Sequence, residues 1–317
     1  MDNLTHSMTG LLLGRAGLRK FHPQATLILF LAANMPDMDA VSAVGGAANY
    51  FQYHRWITHA LVSIPVVALI PVLFAWAWRR KEKPQFLAGW VLSMIGVGSH
   101  LLLDYTNPYG IRLFLPWDTS WPMLSTTSLI DVWIWAILLT GTLWPMLGRL
   151  VSSEIGAKQE TGSGLAIVAL SLLALYDGGR WVLHEKAVAL LDSQMYNGES
   201  PLRVHAFPDQ LNPLVWQGIV ETGAFFIERR VTMFGSAAES QGKVYFKPEA
   251  SPAITAAAQD PLFRRLAEFS KVLHWSTTPT SEVEGGSRVT AMDLYFGFSA
   301  SAVVDSRNRV VDSAFEF

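Results

Sequence analysis

The sequence predicts an α-helical membrane bundle of about six transmembrane or partly spanning helices, followed by a small soluble α+β domain. Half of the 317 residues are apolar and only 16% are charged, and the mean hydropathy is +0.26. A soluble domain carries about 25% charged residues. Residues 1–183 hold 22 charged side chains, whereas the shorter remainder, 184–317, holds 28. We therefore predict a membrane domain at 1–183 and a soluble domain at 184–317.

Charge and cysteine content exclude several function classes. The net charge is −2, and nucleic-acid binding requires a concentrated basic surface, so we expect no nucleic-acid partner. The chain contains no Cys. Disulfides, thiolate metal ligands and cysteine nucleophiles are therefore excluded.

Apolar runs define the membrane helices. Three runs are long enough for a helix to cross about 30 Å of hydrocarbon, namely 60–78, 85–103 and 129–147. A fourth, 164–183, is apolar up to Tyr176. The runs 4–18 and 25–35 are shorter, and we predict that they form a hairpin of two short membrane helices.

Basic residues predict the orientation of these spans. If the spans alternate, the connections on one side hold nine Lys and Arg side chains, at 15–20, 79–84 and 148–163. The opposite connections, 34–59 and 104–128, hold only Arg55 and Arg112. The positive-inside rule places the Arg55 and Arg112 side outside the cytoplasm. We therefore predict a multi-pass inner membrane protein whose N-terminus and C-terminal domain are extracytoplasmic.

The C-terminal part shows short strand and helix patterns. We predict an amphipathic helix at 185–195, strands at 214–222, 225–233, 243–247 and 288–298, a hairpin of 302–305 with 310–315, and helix over 252–275 interrupted at Pro261. This domain contains no catalytic motif that we recognise. It is a candidate site for binding a protein partner.

Histidines and aspartates are concentrated near the predicted outer ends of the spans. The candidate metal ligands are His6, Asp37, Asp39, His54, His59, His100 and Asp104. The topology rests on Lys and Arg alone, yet it places all seven on the outer side. Ionisable groups in membrane segments are costly, and they therefore indicate function.

The spacing within this set agrees with a shared metal site. His100 and Asp104 are four residues apart, so both side chains can reach one ion from the same face of a helix. Asp37 and Asp39 follow Pro36, and in an extended turn they would point to the same side. These two carboxylates are also the candidates for a catalytic general base.

His54 and His59 would diverge on one unbroken helix, since five residues turn it through about 500°. They converge if the helix begins near Thr58 as its N-cap, with His54 in the preceding loop. Imidazole and carboxylate ligands favour zinc, with manganese as the alternative, and seven groups suffice for one or two ions. The role of Asp131 stays open between a ligand, a partner of a ligand and an acid at a helix N-terminus.

Three stretches together resemble a known family. They are MPDMD at 35–39, HRWITHA at 54–60 and SHLLLDYTNPYGIRLFLPW at 99–117. They resemble the membrane-bound metal-dependent hydrolase family typified by YdjM, with its early His, PD-x-D, HRG-x-THS and SH-x3-D followed by a Pro/Gly loop. The resemblance covers about residues 1–145 and implies the same seven metal-site residues. Trp56 stands where the family usually has Gly, and Ala60 where it usually has Ser, so no hydroxyl is available at residue 60.

We therefore expect a membrane-embedded hydrolase acting on a phosphoester or lipid-linked substrate at the outer interface, surrounded by membrane lipid. The His-x3-Asp element is also similar to that of the zinc-dependent phospholipase C and nuclease group, which hydrolyses phosphoesters. Arg55 and Arg112 are candidates for binding an anionic phosphate, with headgroup contact as the alternative. The rival hypotheses are a metal transporter or sensor, and a scaffold with a structural metal. Transport is disfavoured because the centres of 60–78 and 129–147 lack the ionisable groups of a midplane site.

Overall fold

The computed structural model describes residues 1–78, 85–155, 162–233 and 242–316. The chain folds into two units. The membrane unit comprises Met1–Ala40, His54–Val182 and Gln210–Pro213. The C-terminal unit comprises Val41–Tyr53, Leu183–Asp209 and Leu214–Phe317. A helical N-terminal region followed by a β-containing unit confirms the predicted fold class.

The N-terminal region is built from eight α-helices within the described ranges. They are α1 (Asn3–Arg15), α2 (Ala25–Ala32), α3 (Ala47–Tyr53), α4 (Ile64–Val67), α5 (Leu69–Trp78), α6 (Phe86–Thr106), α7 (Val132–Ile155) and α8 (Ser163–Asp192). Short 3-10 helices at Leu18–Lys20, Pro36–Gly45, Ile57–His59 and Leu61–Ser63 connect them. The Asp2 side chain caps α1 by accepting hydrogen bonds from the amides of Leu4 and Thr5, both at 3.0 Å.

Three helical stretches are long and apolar enough to cross a membrane by length and composition. They are Leu61–Trp78, Phe86–Thr106 and Ser163–Asp192. Ala25–Ala32 and Pro36–Gly45, bent by 42°, count as a fourth if the pair is one span, and Val132–Pro145 is apolar but shorter. The predicted topology counts about six transmembrane or partly spanning helices, whereas the described residues contain three candidate spans, or four with the bent pair. The predicted connection 79–84 lies outside the described residues, as does the part 156–161 of the predicted connection 148–163. The part 148–155 is helical, because α7 extends to Ile155.

Glycines allow three of these helices to pack closely. Helix α2 packs against both α1 and α6. A methyl group at Gly10 of α1 would lie 2.6 Å from the carbonyl oxygen of Leu29, and one at Gly96 of α6 would lie 2.6 Å from the Cβ of Ala32. Both glycines therefore occupy positions where any larger residue would separate the helices.

The C-terminal unit contains two antiparallel sheets of four strands, each paired in chain order. The first sheet holds β1 (Arg203–Pro208), β2 (Val215–Glu221), β3 (Phe225–Thr232) and β4 (Val244–Phe246). The second holds β5 (Leu273–Pro279), β6 (Ser287–Asp293), β7 (Ser299–Val304) and β8 (Val310–Glu316). Helices α9 (Pro252–Ala257) and α10 (Pro261–Phe269) pack on the second sheet. Phe207, Ile219, Phe226, Val272 and Leu294 form one buried apolar cluster.

Several predicted elements of this unit differ in extent from the observed ones. The predicted helix at 185–195 is the last part of α8, because neither Gly nor Pro occurs between Arg180 and Asp192. The predicted helix over 252–275 ends at Phe269, and Leu273–Pro279 forms β5 instead. The predicted strand 288–298 ends at Asp293, where a turn with Gly297 at φ 80° leads into β7. Strand β1 was not predicted.

Candidate metal centre

The structure brings six of the seven predicted ligand residues into two groups that share Asp37. The four-residue group consists of Asp37, His59, His100 and Asp104. The three-residue group consists of Asp37, Asp39 and His54. Within each group, one nitrogen or oxygen atom from every residue lies within 4.8 Å of the others. These two groups can therefore hold metal ions, and Asp37 can belong to both sites.

The seventh predicted residue, His6, lies directly against the four-residue group. Its ring stacks on that of His100 with 3.8 Å between centroids and 22° between planes. Its Nε2 lies 3.3 Å from Oδ1 of Asp104. His6, His100 and Asp104 are all fully buried.

The four-residue group is an arrangement of acceptor atoms facing one another. The Nε2 atoms of His59 and His100 are 3.1 Å apart. Oδ2 of Asp104 lies 3.5 Å from the first and 3.4 Å from the second. Oδ1 of Asp37 lies 3.5 Å and 3.6 Å from the same two nitrogens.

The hydrogen bonds on the far sides of both rings fix their tautomers. Nδ1 of His100 lies 2.7 Å from the carbonyl oxygen of Ala33, so it must carry the proton. Nδ1 of His59 lies 3.1 Å from the Thr58 hydroxyl, whose proton goes to Asp39, and 3.2 Å from Oδ2 of Asp39, so it also donates. Each Nε2 is then a lone pair directed at the other.

A bound cation would offset the repulsion among these buried lone pairs. Oδ2 of Asp104 and both ring nitrogens of His6 are buried with no hydrogen-bond partner among the described residues. Unsatisfied buried acceptors are costly, and two facing lone pairs repel each other. The residues present therefore fit a divalent metal ion, which accepts electron density from imidazole and carboxylate alike.

The three-residue group is organised by Asp39. Its Oδ1 accepts a hydrogen bond from Nδ1 of His54 at 2.8 Å. Its Oδ2 accepts from the Arg55 amide at 2.9 Å and from the Thr58 hydroxyl at 2.5 Å. Burial lowers the pKa of His54 below its usual value, although the bond with Asp39 opposes that shift. His54 is therefore held as the neutral imidazole that a metal ion requires.

Two local expectations were wrong. Asp37 and Asp39 do not lie in an extended turn but at the start of the 3-10 helix Pro36–Gly45. Thr58 is not an N-cap, because it lies inside the 3-10 helix Ile57–His59, which has no side-chain cap. Its hydroxyl donates a hydrogen bond to Asp39 instead. This bond connects the 3-10 helix Ile57–His59 to the 3-10 helix Pro36–Gly45.

Arg55 lies inside the site and is nearly fully buried. Its Nη2 donates to Oδ1 of Asp104 at 3.0 Å. Its Nη1 donates to the carbonyl oxygen of Gly110 at 3.0 Å and to Oδ1 of Asn107 at 3.3 Å. The guanidinium also lies over the Tyr109 ring, 4.7 Å from its centroid. The substrate-binding role predicted for Arg55 is untested, and these contacts show that it braces Asp104.

Arg112 and Asp131, the other two candidate residues, each have defined contacts. Arg112 is buried, and its guanidinium lies over the Trp121 ring at 4.5 Å; its predicted role in substrate binding also stays a prediction. Asp131 accepts hydrogen bonds from the amides of Trp133 at 3.0 Å and Ile134 at 3.2 Å, at the start of α7. Of the three roles left open for Asp131, the structure therefore supports the acid at a helix N-terminus.

Thr58 and Asn107 are site residues that the sequence reasoning missed. Asn107 donates to Oδ1 of Asp104 at 3.3 Å and accepts from the Tyr109 amide at 2.9 Å. The signal was present in the sequence, because an Asn-Pro-Tyr-Gly turn directly after a helical aspartate needs a residue that bonds its own backbone. For Thr58, no comparable signal exists, since its partner Asp39 is 19 residues away.

Comparisons with known proteins agree with this architecture. The uncharacterized protein YfhP of Bacillus subtilis (strain 168) is 30% identical over 145 residues, which is 42% of this chain and 43% of YfhP. The match thus spans less than half the length of that relative. No solved structure matches the chain. Residues 1–187, more than half of the chain and all of the metal-site residues, match the family described as YdjM inner membrane protein, and the chain belongs to that family.

Proposed function

We propose that this chain is a membrane-embedded, metal-dependent hydrolase that cleaves a phosphoester of a lipid or lipid-linked substrate at the outer face of the inner membrane. The observation that carries this proposal is the membership of Asp37 in both ligand groups. A shared carboxylate between adjacent groups is typical of paired metal sites that catalyse phosphoester hydrolysis. Bound divalent ions, zinc or alternatively manganese, would polarise the phosphoester and make water nucleophilic near neutral pH.

Each side chain of the site has a role that follows from its contacts. His59 and His100 direct Nε2 lone pairs into the four-residue group, and Asp37 and Asp104 contribute the negative charge that attracts cations. Asp39 orients His54 and His59 through the bonds described above. Carboxylates that hold ligating imidazoles in this way fix the ring orientation and raise the basicity of the ligand.

The Asp37 and Asp39 pair also supplies the candidate general base. Both oxygens of Asp39 already accept hydrogen bonds from neighbouring donors. Asp37 has no ring nitrogen closer than 3.5 Å, but it belongs to both ligand groups. Either carboxylate of the pair therefore stays a candidate for removing the proton from the attacking water.

Apolar side chains on the site loops support a lipid substrate. Met38 lies between Asp37 and Asp39 and is 48% exposed, while Trp56 and Ile57, which precede Thr58, are 40% and 41% exposed. The same loops thus carry metal-site residues on one side and apolar groups on the other. Exposed apolar side chains beside a metal centre suit a substrate whose acyl or prenyl chain stays in the membrane. Arg112 is the candidate for binding its phosphate.

The proposal can be tested with the purified full-length protein in detergent. Metal content is measured first, and phosphate release is then followed on phosphatidic acid, a polyprenyl diphosphate, a soluble phosphomonoester and a peptide. We expect metal-dependent hydrolysis of a lipid phosphoester, abolished by His59→Ala and by Asp37→Asn. His274→Ala is the matched control, because His274 lies in the second sheet outside the site.

Three results would contradict the proposal. Full metal occupancy without hydrolysis of any phosphoester would favour a structural metal in a scaffold. Metal flux through proteoliposomes that His59→Ala abolishes, without hydrolysis, would favour a transporter. Hydrolysis that survives in His59→Ala would place the active site elsewhere.

A further inference from the structure

Two residues of the three-residue group are joined by a segment that folds with the other unit. Asp39 and His54 belong to the membrane unit, and their side chains are 2.8 Å apart. The 13 residues Val41–Tyr53, which we call the inserted segment, belong to the C-terminal unit. The chain therefore leaves the membrane unit directly after one candidate ligand and returns directly before the next.

Phe51 is the main anchor of the inserted segment. It is only 3% exposed and stacks on Phe315 with 4.6 Å between ring centroids. It also makes edge contacts with Phe269 at 5.2 Å and Phe298 at 6.1 Å. Aromatic pairs at these separations contribute stabilisation beyond the burial of their surface.

A polar contact next to Phe51 adds to this anchor. The side-chain oxygen of Gln52 accepts a hydrogen bond from the Arg265 guanidinium in α10. The beginning of the inserted segment is much less packed, since Val41 is 73% and Val44 is 91% exposed. Phe51 is the one fully buried side chain among the residues 41–53, all of which the structure describes.

The buried side chain of the inserted segment therefore packs against residues outside the segment rather than within it. Compact surface loops of similar length are normally packed by their own side chains, and this one relies on aromatic residues distant in sequence. Because Asp39 and His54 are its covalent flanks, the conformation of the segment determines how freely the two side chains can separate.

We propose that Phe51 is a positioning residue for the three-residue group, so that the folded C-terminal unit sets the metal affinity of that group. This inference rests on the metal centre of the proposed function but not on the reaction that it catalyses. None of the residues found only in the four-residue group, which are His59, His100 and Asp104, flanks the inserted segment. Its affinity should therefore change less than that of the three-residue group.

The test is a titration of the full-length, metal-free protein with Co²⁺, followed by the visible absorption spectrum. Wild type is expected to bind two ions. In Phe51→Ala, we expect the affinity for one of the two to fall about tenfold, as for other residues that support ligands, with a change in its absorption bands. Phe51→Leu, which keeps an apolar side chain in the cluster, should restore most of the affinity, and Gln52→Ala should cause a smaller loss in the same direction.

The matched control is Phe263→Ala. Phe263 is fully buried in the same unit and stacks on Trp275 at 5.4 Å, but it lies outside the inserted segment. Unchanged Co²⁺ binding in both Phe51→Ala and Gln52→Ala would overturn the positioning role, as would an equal loss in Phe263→Ala. If wild type binds no Co²⁺, the metal centre itself is wrong and the proposed function fails with it.

Discussion

Gly96 lies one helical turn before His100 on α6, and its Cα faces α2 so closely that a methyl group would meet the Cβ of Ala32 at 2.6 Å. Gly10 has the equivalent place on α1, one turn after His6 and against the backbone of Leu29. The two glycines let α1 and α6 approach α2 from different sides. The close stacking of His6 on His100 depends on that approach.

Gly96→Ala should therefore weaken both the fold and the metal site. The added methyl group forces α6 away from α2, and overpacking of this kind costs about 1–3 kcal/mol. Gly98→Ala is the matched control, because a Cβ there meets nothing within 4 Å, and it should be neutral or stabilising by up to about 1 kcal/mol. Thermal unfolding and metal content measure the two effects. A Gly96→Ala protein that binds metal and unfolds like wild type would contradict this account.

Arg55→Ala should destabilise the metal-free protein strongly. The variant leaves Asp104 without its guanidinium partner, and breaking a buried ion pair costs about 3 kcal/mol or more. Arg309→Ala is the control, since it breaks an exposed pair in which Arg309 and Asp305 are 2.8 Å apart, and solvent-exposed pairs contribute little to stability. Denaturant unfolding of both variants after chelation compares them. Equal stability of the two variants would exclude a bracing role for Arg55.

Asp131→Ala should lower stability without removing metal. It deletes the acceptor for two amides at the start of α7 and for the Tyr176 hydroxyl at 3.1 Å. Loss of a helix cap costs about 0.5–2 kcal/mol. The metal-to-protein ratio of the purified variant should equal that of wild type, whereas His100→Ala should lose metal. A metal deficit in Asp131→Ala would return this residue to the list of ligands.

His205 should make the C-terminal unit sensitive to acid. Burial lowers the pKa of His205 to about 4, below the value of about 6.5 in an unfolded chain. The unfolded chain therefore binds the extra proton first. The stability of the folded unit is complete above about pH 6.5 and falls as the pH decreases towards 4.

The loss amounts to about 3 kcal/mol at pH 4 for this group, because the folded and unfolded pKa values differ by about 2.5 and each pKa unit corresponds to about 1.4 kcal/mol. His205→Gln should remove that part of the pH dependence. The measurement is thermal unfolding of the chelated protein between pH 8 and pH 4, compared between wild type and variant so that contributions from other groups cancel. Parallel curves for the two proteins would show that His205 does not titrate with unfolding.

The apolar helices and the residues that cluster as candidate ligands were predictable because each depends on local patterns. The spacing of His100 and Asp104 fixes their common face on α6, whatever surrounds them. The apolar run that became Phe86–Thr106 is equally local. In the same way, Val310–Glu316 pairs with Ser299–Val304 as a hairpin, since a turn with Asn308 in the left-handed region (φ 58°) joins two neighbouring strands.

The contacts between distant segments were not predictable in this way. The ion pair between Arg55 and Asp104 depends on a left-handed backbone at Arg55, with φ 56°. Arg rarely adopts that conformation, so the sequence does not predict it. The hydrogen bond between Thr58 and Asp39 joins residues 19 positions apart, and it therefore depends on the tertiary fold rather than on a local pattern. The placement of Phe51 requires Phe315, which lies at the opposite end of the chain.

The family match ends at residue 187, inside α8, which runs without a break to Asp192. A chain cut at that point would keep every side chain of the metal centre and yet lose Phe269, Phe298 and Phe315, which pack on Phe51. If Phe51 positions the three-residue group as proposed, the metal centre needs residues that lie beyond the family match. Transplanting this N-terminal region onto another protein would require a new partner for Phe51 or a redesigned loop between Asp39 and His54.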